Sequence, residues 1–372
     1  MKKLTSHYIF DGYKLHRNKI LVFDENNFLI DTLDFNNNKE LENIEFYNGI
    51  LCPGFVNAHN HLELSFLKDR LKPGTCLDGF IKQMQQVNRT YDAEKLEKII
   101  LADNLMFKEG ISVCGDVANS SITNNLKKES EIFYYTFVEL YSPNENDADL
   151  VFENGLKILQ EFKYASITPH ALYSVSNKLL QKIIQNLKET DILSVHFNES
   201  KLEKDLYYYY QPYNEKVQDP HLKFLSFFPA NINLLFVHNT FLNELELEYI
   251  RSAFNNAYFV ICPNSNLFIE SVLPPNFLFE LATNRICIGT DSLASNNNLS
   301  ILEELKTLSK NYPSISLEKW LSMATIQGAK ALRVDNIYGS FEKYKKPGVV
   351  LIENVDLVSL RLTSESFSKR II

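Results

Sequence analysis

Eight times along this chain a short β-branched or aromatic apolar run stops abruptly at a polar residue. The runs are Leu51–His61, Ser112–Asp116, Tyr134–Glu139, Ser166–His170, Leu193–His196, Leu234–His238, Tyr258–Asn264 and Arg285–Asp291. Their polar ends follow one another at 55, 23, 31, 26, 42, 26 and 27 residues. Helical periodicity fills the intervals, most clearly over Ala93–Glu109, Leu179–Glu189, Glu244–Phe254 and Leu299–Ser309. Strand then helix, repeated eight times at this cadence, predicts an α/β chain built as a (β/α)₈ TIM barrel. A doubly wound open sheet has the same alternation, but no Gly-rich phosphate turn follows any of the strands.

The two flanks have a different texture. Residues 1–50 read as short alternating strands with turns at Phe23–Asn27 and Asn36–Asn38, and residues 339–372 add more, clearest at Val349–Ile352. Neither flank could bury a core alone, so they are expected to pair into a small β-sandwich beside a barrel spanning residues 51–338.

Composition then narrows the partners. A chain of 372 residues, 45% apolar, buries a core without disulfides or a structural metal. The net charge is −8 and no basic stripe is visible, which speaks against nucleic acid; Lys343–Lys346 is too short and reads as a solvated turn. No apolar stretch approaches the ~18 residues of a membrane span, and MKKLTSHYIF lacks the apolar block of a signal peptide. Five scattered cysteines without a CxxC pair read as reduced thiols, so the expected compartment is the cytoplasm. The expected partner is a small-molecule substrate, with a homodimer left open.

The chemistry sits at the strand ends. His59 and His61 are two apart, so on a strand both imidazoles leave one face. An isolated His-x-His is common by chance. Here His170, His196, His238 and Asp291 end four further runs, placing five of the eight histidines at the proposed barrel mouth. Neutral imidazoles plus one carboxylate suit a divalent transition metal, Zn²⁺ first and Fe²⁺ second, rather than Mg²⁺ or Ca²⁺. An ion with an open position lowers the pKa of bound water toward ~7. Glu199, three residues past His196, can reach a substrate without joining the ligands, as an acid/base group must; a helix-opening glutamate with no catalytic part is the competing reading.

The ordered segments PGFVNAHNHLE, PHALYSVS, VHFNES, FVHNT, ICPNSNL, IGTDSLASNNNLSILEEL and MATIQGAKAL resemble the amidohydrolase superfamily. They are most similar to its mononuclear aminohydrolase branch, which includes cytosine, guanine, S-adenosylhomocysteine and aminofutalosine deaminases and triazine chlorohydrolases. The resemblance spans about residues 50–335. It implies metal ligation by His59, His61, His196 and Asp291, a water held by His238, proton transfer by Glu199 and Asp291, and substrate contact by His170. Asn264 and Asn266 match a segment near the pocket with no role implied. Binuclear members carry a bridging lysine at the end of strand four; here that strand reads Ser166-Ile167-Thr168-Pro169-His170, with Lys163 at its other end, so one metal is implied. The acidic residue usual in the closing sandwich is replaced by Pro347-Gly348-Val349. The implied reaction is hydrolytic deamination of an amino-substituted heteroaromatic ring, of purine or purine nucleoside type. Hydrolysis of a cyclic or acyclic amide or a C–Cl bond is the alternative on the same site, and a non-catalytic binding protein on a decayed barrel is the remote one. The Tyr207–Tyr210 run carries no assignment, and Phe66 and Phe80 are candidates to stack on a base.

Overall fold

The computed structural model describes residues 1–37, 42–88, 90–213, 216–282 and 284–372, so Asn38 of the second expected turn lies outside the described residues. Five strands open the chain: β1 (Lys2–Phe10), β2 (Leu15–His16), β3 (Lys19–Phe23), β4 (Leu29–Asp34) and β5 (Ile44–Pro53). Eight follow in alternation with helices: β6 (Phe55–Asn60), β7 (Ile111–Ala118), β8 (Phe133–Leu140), β9 (Ala165–Pro169), β10 (Ile192–Phe197), β11 (Asn233–His238), β12 (Asn256–Ile261) and β13 (Ile286–Ile288). Two close the chain, β14 (Val349–Glu353) and β15 (Phe367–Arg370).

The eight middle strands pair in parallel as β6-β7-β8-β9 and β10-β11-β12-β13. β6, β7, β10 and β11 are buried along their whole length, as strands covered outside by helices and inside by the barrel's own side chains must be. Two seams join the sets. Between β9 and β10, the hydroxyls of Ser166 and Thr168 donate to the carbonyls of Ile192 and Ser194, and His196 N donates to the His170 carbonyl at 2.9 Å. Between β13 and β6, the Thr290 and Asp291 amides donate to the His59 carbonyl at 3.0 and 3.1 Å. Asn57 Nδ2 adds a bond to Thr290 Oγ1 at 2.7 Å. The strands thereby close into the (β/α)₈ barrel, and the second seam falls at two of the expected metal ligands. Gly289 makes that seam possible: a Cβ there would stand 2.9 Å from both Cβ and the carbonyl oxygen of His59.

The flanks pair with each other in one seven-stranded sheet, β15-β14-β5-β1-β3-β4 with β2 on β1. Period-two alternation gives this sheet two apolar faces. Leu4, Leu21, Phe23, Leu51 and Leu351 pack together in its own core, while Phe10, Ile50, Cys52, Val350 and Ile352 pack on the barrel. The first expected run is therefore two strands split at Gly54, and the flanking sheet takes the chain as far as Pro53.

Helix starts follow local chemistry. Ser176 caps Asn177–Gln185, and Asn243 with Glu246 forms a reciprocal capping box on Glu244–Ala253. The seventh run is shorter than its sequence suggests. β12 stops at Ile261 and Pro263 opens the helix Pro263–Glu270, since proline fits the first helical turn but donates nothing to a sheet ladder. Asn264 and Asn266 thus stand on a helix.

Candidate active site

The carboxyl ends of the parallel strands meet at one mouth, the functional face of such barrels. Three side chains from two strand ends nearly touch there: His59 from β6, His61 one residue past it, and His196 from β10. His59 Nε2 and His61 Nε2 stand 3.1 Å apart, and Asp291 Oδ1 lies 3.4 Å from His61 Nε2 and 3.8 Å from His59 Nε2. Ligand atoms bound tetrahedrally at 2.0–2.1 Å from one ion stand about 3.4 Å from each other. The spacing and the nitrogen-rich donor set therefore fit a single transition-metal ion.

The orientation of His196 and of Asp291 has a cause in each case. His196 Nδ1 donates to the His170 carbonyl at 3.1 Å, which leaves Nε2 as the donor to a metal. Ser265 and Ser295 both donate to Asp291 Oδ2 at 2.7 Å, freeing Oδ1 for the histidines. Asp291 itself is left-handed, with φ 55°, a strained turn that its amide bond to His59 holds in place. His61 is flanked by two ties to Asp116 Oδ1, from Asn60 Nδ2 at 2.9 Å and Leu62 N at 2.7 Å. Asp116 Oδ2 completes a fully buried ion pair with Lys127 at 2.6 Å.

Burial, then the neighbouring histidines, hold the pKa of His59 and of His196 well below the ordinary imidazole value, so both are neutral and able to ligate. Burial would raise the Asp291 carboxyl, yet His61, His238, His59 and Ser265 together hold it far below the usual range.

Two acid/base groups border this cluster. Glu199 is buried, and burial pushes its carboxyl up to about 7 against the opposing pull of His238. His238 Nε2 lies 3.6 Å from Glu199 Oε1, and its Nδ1 donates to Asn266 Oδ1 at 2.9 Å. Burial disfavours the charged His238 ring, but Glu199, Asp291 and the Asn266 bond outweigh it and the pKa is raised.

His170, just past β9, is half-buried beside His196, with ring centroids 4.6 Å apart and Nδ1 2.7 Å from Ser174 Oγ. Its backbone carbonyl orients His196 while its ring faces the cavity. That cavity holds about 700 Å³, inside the ~300–1,000 Å³ range of small-molecule sites. Its floor carries His61, His196, His238, Glu199 and Asp291. Its wall is apolar, formed by Leu77, Phe80, Ile81 and Met84 of the helix Cys76–Gln85 and by Tyr141, Tyr173 and Tyr210. Among the described residues, no lysine or arginine lines it.

The two aromatic candidates part company. Phe80 lines the cavity, whereas Phe66 is buried edge-on against Tyr91. Of the tyrosine run, Tyr210 lines the cavity, Tyr207 is buried and Tyr209 is exposed. Asn266 orients His238, while Asn264 Oδ1 accepts from Thr307 Oγ1 instead. Glu139 carries no role in the sequence pattern, yet its Oε1 lies 3.5 Å from His196 Nδ1, its Oε2 accepts from Asn119 Nδ2 at 3.2 Å, and it lines the cavity beside His170. Its place at the polar end of the third run was the available signal.

Residues 50–369 match the amidohydrolase family. An adenosine deaminase of Helicobacter pylori is 28% identical over 340 residues, covering 82% of this chain and 83% of that protein. The crystal structure of H. pylori aminofutalosine deaminase in complex with methylthio-coformycin superposes with a TM-score of 0.81 at 26% identity, covering 98% of this chain and 94% of that one. A Xanthomonas campestris adenosine deaminase with bound zinc shares the fold, with a TM-score of 0.80 at 19% identity over 97% of this chain and 86% of that one.

Proposed function

The chain belongs to the amidohydrolase family, and from that premise we propose that it hydrolytically deaminates an amino-substituted purine, with an uncharged purine nucleoside as substrate. The observation that carries this reading is the pairing of a buried carboxyl that titrates at about 7, Glu199, with His238 at 3.6 Å beside a cluster of metal-ligand type. His59, His61, His196 and Asp291 are the residues that would hold one divalent metal, Zn²⁺ by donor preference. Bound there, the ion supplies a water acidic enough to act as a nucleophile near neutral pH.

The chain's own groups account for the protons. Below about pH 7 Glu199 carries a proton that it can give to the ring nitrogen beside the C–NH₂ carbon. His238, fixed by Asn266, holds the attacking water and takes up its proton with Asp291. Once water has added to the ring carbon, the proton taken up from it passes to the exocyclic amine, the C–N bond breaks, and the hydroxyl proton returns to Glu199. The ring keeps the oxygen as a carbonyl and ammonia leaves. The relatives' activities support this direction. The wall supports a neutral substrate, because a phosphate entering the cavity would meet no lysine or arginine among the described residues. His170 and Glu139, side by side above the floor, suit the hydroxyls of a ribose. Five unpaired cysteines, four of them buried, support a reducing compartment such as the cytoplasm.

A screen for ammonia release from adenine, guanine, cytosine, pterins and the corresponding nucleosides, with zinc-loaded protein, tests the reading. An aminated purine nucleoside should be turned over fastest. Turnover of amides or chlorinated rings without any ammonia-releasing base would overturn it.

A further inference from the structure

The Glu199 loop rests on a second cluster of charged groups that does not line the cavity. Glu203 Oε1 accepts from Glu199 N at 2.6 Å and Glu203 Oε2 from Asn198 N at 3.1 Å. His221 bridges two carboxylates, with Nε2 3.0 Å from Glu203 Oε2 and Nδ1 2.8 Å from Glu246 Oε1. Glu246 Oε2 then accepts from Asn198 Nδ2 at 2.8 Å. The ring is thus closed back onto the residue that precedes Glu199. Glu203 and Glu246 are 0% and 1% exposed and His221 is 2% exposed.

We propose that His221, Glu203 and Glu246 form a buried clamp that positions Glu199 for proton transfer, so that Glu203 and His221 are positioning residues for the reaction. This rests on the reading of Glu199 as the proton carrier. β10 ends at Phe197, and Asn198 takes a left-handed turn at φ 52° before Glu199. Such a turn at a residue other than glycine persists where its surroundings fix it. Here three hydrogen bonds from two adjacent residues end on two buried carboxylates, and hydrogen bonds to charged acceptors are the strong ones.

A buried carboxylate stays ionised only with a partner, and His221 serves both. Lys204 adds charge at the rim, 3.0 Å from Asp219 and 3.7 Å from Glu246. Asp219, His221 and Glu246 also offer donor atoms of the type a cation takes. Metal binding needs an imidazole lone pair, however, and both His221 nitrogens point at carboxylates. Burial works against the charged ring, but Glu203 and Glu246 outweigh it and carry its pKa to about 9. The cluster is therefore an ion cluster of the protein's own groups. Because ~1 Å of displacement at a reacting group can cost ~10²-fold, a clamp bonded to Asn198 and to the amide of Glu199 itself acts at catalytic scale.

The test combines Glu203→Gln, Glu199→Gln and the double variant, assayed for adenosine deamination, with hydrogen exchange followed in the peptide spanning 196–203. Glu203→Gln should exchange faster in that peptide, keep its metal, and lose roughly 10–100-fold in kcat with KM changed less than about 3-fold. In the Glu199→Gln background the same change should cost almost nothing further, because a residue that acts only through Glu199 has nothing left to act on. A full additional loss in the double variant, or unchanged exchange in the peptide, would overturn the clamp. Full activity of Glu199→Gln would instead overturn the role of Glu199 itself, and the catalytic part of this inference with it. Should Glu203→Gln fail to fold, His221→Asn gives the same two readouts.

Discussion

The floor and the wall of the cavity are built on opposite principles. On the floor three groups are aimed by hydrogen-bond partners: His196 by the His170 carbonyl, Asp291 by two serines, His238 by Asn266. The wall is apolar surface from the helix Cys76–Gln85 and from tyrosines after three different strands, with few polar constraints. A directional floor fixes which bond is broken. An apolar wall shapes what fits, and one or two side-chain changes there can alter substrate choice while the chemistry below stays the same.

Damage to the floor should therefore be far more costly than damage above it. The largest effect is expected from His59→Ala, which leaves the ligand set incomplete. Metal and activity should disappear together, measured by elemental analysis and ammonia release. A variant that retains a full equivalent of metal would place His59 outside the ligand set.

Next comes Glu199→Gln, which keeps the shape but removes the proton carrier. A kcat lowered by ~10² or more with metal content near wild type is the expected pattern. Loss of metal instead would make Glu199 a ligand and blur the floor's division of labour.

His170 stands where floor gives way to wall. His170→Ala should keep its metal and lower kcat/KM for a nucleoside by about 2–10-fold, the value of one neutral hydrogen bond. The free base should suffer less, since it has no ribose to contact. Equal losses on base and nucleoside would remove the sugar from the account.

The smallest effect concerns stability and belongs to the clamp behind the floor. His221 is raised from 6.5 to about 9 in the folded chain, so its contribution is complete below about pH 6.5 and is lost as pH rises through about 9. Wild-type Tm should fall by a few degrees more than that of His221→Asn between pH 6.5 and 9.5. Parallel Tm profiles would mean that the ring is not held as an imidazolium.

The same contrast decides what the residues disclose before folding. Floor residues are legible because strand ends make local signatures, such as His59 and His61 on one face or Asp291 after an apolar run. Ser265 and Asn266 become visible as supporting groups only when β12 gives way to the helix Pro263–Glu270, and Ser295 only when the turn after Asp291 returns it to that carboxylate. His221 falls in the 42-residue interval between His196 and His238, far in sequence from the carboxylates it joins. Wall residues are the least legible, since Leu77, Ile81 and Met84 have the spacing of any amphipathic helix and differ only in facing a cavity. The flanking sheet shows the same limit: its strands could be read, but not the parallel pairing of β1 with β5 that sets its order.

The most direct test of the account is ammonia release from adenosine and its 5′-modified analogues by the protein stripped of metal, then reloaded with one equivalent of zinc. The expected result is no turnover in the stripped protein, recovery at one equivalent, and one ammonia released for each nucleoside converted to its oxo product. Turnover that survives metal removal, or a zinc-loaded protein that releases ammonia from none of these nucleosides, would contradict it.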